Sequence, residues 1–203
     1  MSSPELVIFD CDGVLVDSEI IAARVEAELL TKAGFAISPE EIAETYAGLT
    51  FKDIMLTIEA KAGIPFQASM IDQAEDLVDR RLAKDLRAIE GVHQAVGSIT
   101  GLRCVASNSR LERLEAMLTK VQLKPFFGDK IFSAPSIPSK KTKPEPDVFL
   151  YAAEQMGVKP ERAFVIEDSV HGVTAAKRAG MRVIGFTGAS HTCLLYTSPS
   201  PRD

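Results

Sequence analysis

Four short, mostly apolar runs stand out along the chain: Leu6-Val7-Ile8-Phe9, Leu102-Arg103-Cys104-Val105-Ala106, Ala163-Phe164-Val165-Ile166 and Arg182-Val183-Ile184-Gly185-Phe186. Runs of this kind, apolar on both sides, are the pattern of strands buried in a parallel sheet. Segments with helical spacing, such as Leu111 to Val121 and Val148 to Met156, lie between them. Strand and helix in alternation predict an α/β fold, a parallel sheet covered by helices. The first three runs end in polar residues, respectively Asp10, Ser107 and Glu167-Asp168. Ligands bind at the carboxyl ends of such strands, so these residues are expected to converge.

Between the first two runs, residues 17–88 show no strand pattern and several helical ones. They are expected to form a helical insert in a core made of residues 1–16 and 89–190. Ser38-Pro39-Glu40-Glu41 reads as a helix start, with an N-cap Ser, Pro at the first helical position and Glu three residues after the cap. Thr50 is a candidate cap for the next helix. From Gln67 to Ala88, Met70, Ile71, Ala74, Leu77, Val78 and Leu82 recur near helical spacing. A helical segment spliced in after a catalytic strand is expected to act as a lid that excludes water and contacts substrate.

Composition narrows the partner. The 203 residues are 46% hydrophobic and 25% charged with a net charge of −5, and the Lys and Arg residues are scattered. That is no footprint for nucleic acid or an anionic membrane. No apolar run approaches the roughly 20 residues of a membrane span, and the start lacks the features of a signal peptide. A cytoplasmic monomer acting on a small molecule is the expectation. Cys11, Cys104 and Cys193 are too few and too widely spaced for a disulfide framework or a zinc cluster, and read as reduced thiols.

Asp10-Cys11-Asp12 puts two carboxylates two residues apart beyond a buried strand. Asp10 is placed to attack phosphorus, and Asp12 to protonate a leaving oxygen and later deprotonate water. An Asp-x-Asp pair also occurs in ordinary capped turns. Glu167-Asp168 adds a second acidic pair, and a hard cation such as Mg²⁺ would resolve the charge; Asp168-Ser169 also opens a helix. Ser107 offers a hydroxyl for a phosphoryl oxygen or for a cap. Lys143 opens Lys143-Pro144-Glu145-Pro146, whose two prolines would stiffen the loop and fix where the ammonium points, at an anion or simply as part of a solvated basic loop with Lys140 and Lys141.

In this order and spacing the pieces resemble the haloacid dehalogenase superfamily from Leu6 to about Thr192. Phe9-Asp10-Cys11-Asp12-Gly13-Val14-Leu15-Val16-Asp17-Ser18 is similar to its first motif and Val105-Ala106-Ser107-Asn108-Ser109 to its second. Lys143-Pro144 matches the third, and Val165-Ile166-Glu167-Asp168-Ser169 with Gly172 and Ala179-Gly180-Met181 the fourth. The nearest flavour is the β-phosphoglucomutase-like branch. The resemblance implies a three-layer Rossmann-like parallel sheet core with an inserted α-helical cap domain. It also implies a Mg²⁺-dependent phosphatase forming an aspartyl-phosphate on a small phosphorylated metabolite. By that resemblance Asp10 is nucleophile and metal ligand, Asp12 acid/base and a backbone ligand, and Asp168 completes the set with Glu167 beside it. Ser107, Lys143 and Asn108 would hold the phosphoryl group, and Lys52 the far end of the substrate.

Three alternatives carry distinguishing features. A dehalogenase would not normally keep an acid at Asp12. A sugar-phosphate mutase usually has a His in the first cap helix, and Ser18 to Leu30 has none. A silent phosphometabolite-binding protein would not need both Asp10 and Asp12. His93 and His171 have no ligand partner at useful spacing and are assigned no role. Residues 191–203 break with the preceding periodicity, resemble translated adaptor read-through, and are expected not to belong to the fold.

Overall fold

The computed structural model describes residues 4–46 and 49–189; the tail 191–203 lies outside the described residues. The chain begins with β1 (Leu6–Phe9), followed by α1 (Glu19–Lys32), α2 (Pro39–Thr45), α3 (Phe51–Ala62) and α4 (Ser69–Asp85). It continues through α5 (Val92–Ser98), β2 (Leu102–Ser107), α6 (Leu111–Lys120), α7 (Lys124–Phe127) and β3 (Ile131–Ser133). It then runs through α8 (Asp147–Gln155), β4 (Ala163–Glu167), α9 (Val170–Arg178) and β5 (Arg182–Gly185). The four apolar runs are β1, β2, β4 and β5. The short β3 was not anticipated; it pairs with the end of β2, Val105 opposite Ile131 and Ser107 opposite Ser133.

All neighbouring strands are parallel, in the order β3-β2-β1-β4-β5. Alternate residues on each strand point to opposite faces. Leu6, Ile8, Cys104, Ala106 and Val165 pack on one side into a core with Phe149 and Ala152 of α8 and Ala175 and Ala176 of α9. On the other side Phe9 meets the edge of the Phe127 ring at 5.8 Å. Both faces are covered, which gives the three-layer α/β core. Chain order moves outward from β1 through β2 to β3 and then returns to β1's other side with β4. The reversal between β1 and β4 is a topological switch point, and in open parallel sheets ligands bind at the carboxyl ends of the strands there.

The chain forms two compact units, one ending at Asp17 and resuming from Arg87 to Ala189, the other Ser18–Leu86. The entering and leaving strands run side by side at the junction. Asp17 donates its N–H to the Arg87 carbonyl at 3.1 Å, Ile89 donates to Leu15 at 3.1 Å, and Val16 and Ala88 form an antiparallel bridge. This pairing sets the boundary a residue or two inside the 17–88 span read from the sequence.

Within Ser18–Leu86 the helices follow their local signals. Ser38 and Glu41 close a reciprocal capping box on α2, the Ser38 Oγ accepting from Glu41 N–H at 3.1 Å and Glu41 Oε2 accepting from Ser38 N–H at 2.8 Å. Thr50 caps α3 by accepting from Asp53 N–H at 3.2 Å. Met70, Ala74, Val78 and Leu82 bury one stripe of α4, four residues apart. No helix among the described residues is long and apolar enough to cross a membrane.

One carboxyl in this unit departs from the pattern. Glu26 of α1 is half-buried, and burial pushes its carboxyl up to about 7. The folded state keeps a proton that the unfolded chain has released, so this group costs stability as pH rises from the ordinary glutamate range to about 7. Glu26→Gln is expected to stabilise the protein by on the order of 2 kcal/mol at slightly alkaline pH and to be near neutral in mild acid. Urea midpoints at the two pH values check this; equal effects at both would remove the titration argument.

Candidate active site

Asp10 follows the last residue of β1 and donates its N–H to the Ile166 carbonyl of β4 at 3.0 Å, which sets it opposite Glu167. The chain then curls sharply. Leu15 and Val16 donate their N–H groups to the Cys11 carbonyl at 2.9 and 3.1 Å, and Gly13 donates to Val16 at 2.8 Å. Gly13 has φ +74°, a conformation a side chain would oppose. The curl keeps Asp12 at the sheet's edge, half-buried, where Ser109 Oγ donates to its Oδ2 at 2.8 Å and Ser107 Oγ more weakly at 3.4 Å. Ser107 Oγ in turn accepts from Ser109 N–H at 3.0 Å.

Lys143 arrives from a loop fixed by Asn108. The Asn108 Oδ1 accepts from Lys143 N–H at 2.8 Å and its Nδ2 donates to the Lys143 carbonyl at 3.4 Å. With its main chain held at both groups, the lysine side chain runs inward over the Phe149 ring, Nζ 4.7 Å from the centroid. Nζ donates to Asp10 Oδ1 at 2.5 Å and to Glu167 Oε1 at 2.7 Å, with only 3% of the side chain exposed.

Glu167 is secured from the other side. Its Oε2 accepts from the Ser169 N–H at 2.8 Å and the Ser169 Oγ at 2.9 Å, while Ser169 Oγ caps α9 by accepting from Gly172 N–H at 3.0 Å. Gly172 has no room for a side chain, because a Cβ there would overlap the Glu167 carboxyl group. Gly172→Ala is therefore expected to cost about 1–3 kcal/mol and to displace Glu167. Thermal unfolding and activity measured together check this; an unchanged melting temperature would show that Glu167 can move aside freely.

Asp10, Glu167 and Asp168 each present an oxygen within 4.8 Å of the others, and the Lys143 ammonium sits against Asp10 and Glu167. Burial pushes the Asp10 carboxyl well above its usual range; Lys143 pulls it back, and Glu167, Asp12 and Asp168 push it up again. Burial opposes the Lys143 ammonium, but Asp10 and Glu167 outweigh it and raise its pKa. An all-oxygen donor set of this kind suits a hard divalent ion. Burial, with the two flanking aspartates, pushes the Cys11 thiol well up, so it stays a packed neutral group.

The structure gathers Asp10, Asp12, Ser107, Lys143, Glu167 and Asp168 at one edge of the sheet. Asn108 is beside them, with its amide engaged by the Lys143 backbone. Lys52 is exposed in the first turn of α3, in the helical unit. Ser109, Ser169 and Gly172 stood inside recognised motifs without a role; a hydroxyl two residues after each key side chain was the available signal. His93 bonds the Val121 carbonyl at 2.8 Å and packs against Phe126, a structural position.

The family profile described as haloacid dehalogenase-like hydrolase matches residues 7–186. A 6-phosphogluconate phosphatase of Escherichia coli is 33% identical over 194 residues, covering 94% of this chain and 86% of that protein. A crystal structure of a conserved haloacid dehalogenase-like protein from Agrobacterium tumefaciens superposes with a TM-score of 0.89 at 56% identity, covering 93% of this chain and 85% of its own. Another, a haloacid dehalogenase family hydrolase from Deinococcus radiodurans with bound phosphate and sodium, gives 0.77 at 32% identity over 91% of this chain and 81% of its own. With a profile running from β1 past β5 and relatives of this identity along almost its whole length, the chain belongs to the haloacid dehalogenase-like hydrolase family.

Proposed function

We propose that this hydrolase is a Mg²⁺-dependent phosphatase that cleaves a small phosphorylated metabolite, a sugar phosphate or similar phosphomonoester, through an aspartyl-phosphate on Asp10. The observation that carries this reading is the contrast between its two neighbouring carboxyls. Asp10 is buried against Lys143 and the acidic group of β4, whereas Asp12 is half-buried among hydroxyls. Burial alone would keep a proton on Asp10, so its part as nucleophile depends on positive charge beside it, from Lys143 and a bound cation, while Asp12 accepts hydroxyl bonds and is the carboxyl assigned to carry the proton.

In the first step an Asp10 oxygen forms a bond to phosphorus as the bond to the leaving oxygen breaks. The departing electron pair takes the proton carried by Asp12. In the second, Asp12 accepts a proton from water while the water oxygen bonds phosphorus, and the Asp10 carboxylate leaves with inorganic phosphate as product. Lys143, fixed by Asn108, offsets negative charge on the transferring group, and Ser107 supplies a hydroxyl beside it. Asp10, Asp168 and the Asp12 carbonyl, with Glu167 alongside, would hold Mg²⁺, which supplies charge neutralisation for the phosphoryl oxygens. The helical unit Ser18–Leu86 is the cap in this reading, the part that selects substrate.

Phosphate release from a panel of sugar and sugar-acid phosphates, including 6-phosphogluconate, tests the proposal. Release that needs Mg²⁺ and stops with chelator is expected. Release untouched by chelator would remove the metal from the reading, and conversion of a sugar phosphate to its isomer without free phosphate would favour a mutase.

A further inference from the structure

Ser109 is anchored more thoroughly than a surface serine at the start of a helix requires. Its N–H donates to Ser107 Oγ at 3.0 Å, and its carbonyl accepts from Ser133 Oγ at 2.8 Å. Ser133 is 1% exposed and stands opposite Ser107 in the pairing of β3 with β2. Two strand ends therefore fix the Ser109 backbone on both sides. Its hydroxyl reaches across to the loop after β1 and donates to Asp12 Oδ2 at 2.8 Å. The second hydroxyl on Asp12, from Ser107, meets the same oxygen at 3.4 Å.

We propose that Ser109 is a positioning residue for Asp12: by donating to Oδ2 it fixes the rotation of the carboxyl from which the proton is transferred. This rests on Asp12 being the acid/base of the proposed phosphatase. A carboxyl free to rotate spreads its proton over directions that do not meet the leaving oxygen, and misaimed proton transfer forfeits part of the rate. In the step concerned, the phosphorus–oxygen bond breaks, the electron pair stays on the leaving oxygen, and the proton carried by Asp12 moves to it as Asp10 bonds phosphorus. The requirement for that proton depends on the leaving group. A sugar alkoxide needs it, whereas a nitrophenolate leaves at neutral pH without it.

The test compares kcat/KM for Ser109→Ala against the native chain on two substrates, the best sugar phosphate of the panel and p-nitrophenyl phosphate. This ratio covers steps up to departure of the leaving group. A loss of about 10- to 100-fold is expected on the sugar phosphate, and a loss smaller by about tenfold on the aryl phosphate. Ser109→Thr and Ser109→Val have the same shape and differ by the hydroxyl, so Thr is expected to retain the sugar-phosphate activity that Val loses. This pair answers the question even where the Ala variant folds poorly. Equal losses on both substrates, or Thr and Val alike, would overturn the assignment while leaving the phosphatase reading intact. A native chain that releases phosphate from neither substrate would overturn both.

Discussion

Asp10→Asn is expected to remove phosphate release almost entirely, with kcat falling by about 10⁴-fold or more, because in the proposed reaction the Asp10 oxygen is the one that attacks phosphorus. The fold is expected to survive. An Asn oxygen can still accept from Lys143 Nζ, and the substitution deletes a carboxyl that burial already disfavours in its charged form. In the metal-free protein the variant should be at least as stable as the native chain, the more so as pH rises above the ordinary aspartate range, where the native protein must either keep a proton or ionise at a cost. Steady-state phosphate release and metal-free melting curves read the two effects separately. Retention of more than about one per cent of kcat would reject Asp10 as nucleophile.

Lys143→Met is expected to damage both activity and stability. Methionine keeps the length and the contact over the Phe149 ring but removes the charge between Asp10 and Glu167. Leaving such a buried partner uncompensated costs about 3–5 kcal/mol, which for a chain of this size lowers the melting temperature by on the order of 10 °C. The two carboxyls can take up protons instead, so the loss should be smaller in acid and larger in alkali. Added Mg²⁺ should recover part of it by supplying the missing positive charge. Activity should fall by about 10²- to 10³-fold even with metal present, since in the proposed reaction Lys143 offsets charge on the transferring group. Melting curves with and without Mg²⁺ decide this, and an unchanged metal-free transition would mean that the three charges are not energetically linked.

Much of this arrangement was legible in the sequence, for identifiable physical reasons. β1, β2, β4 and β5 announce themselves because strands covered on both faces must be apolar throughout, and the polar residue ending each run marks the sheet's edge. The capping box at Ser38 and Glu41 is equally local. β3 escaped because three residues carry no period, and its pairing with β2 is a tertiary choice. That Lys143 touches Asp10 is a contact across 133 positions, which no spacing rule reports. Asn108 was read as a candidate for holding the phosphoryl group; that its amide also grips the Lys143 backbone depends on two loops meeting, which no spacing reports. In Ser107-Asn108-Ser109 either serine could have been the informative one. The sequence also gives Gly172 without its reason, which is the Glu167 carboxyl pressed against its Cα.

The doubled junction at Asp17 and Arg87 has a further consequence for how such a protein can diversify. Because the chain leaves and re-enters the sheet unit at neighbouring points, 69 residues' worth of insert, Ser18–Leu86, closes as a loop on an anchor the core already provides. Its length and sequence can change with little entropic penalty to the β1–β2 pairing, since closure cost grows only slowly with loop length. The sheet unit thereby behaves as a socket and the insert as an exchangeable cassette. If the proposed function holds, selection can rewrite the choice of substrate on one side of that junction while the residues proposed for phosphoryl transfer on the other stay as they are.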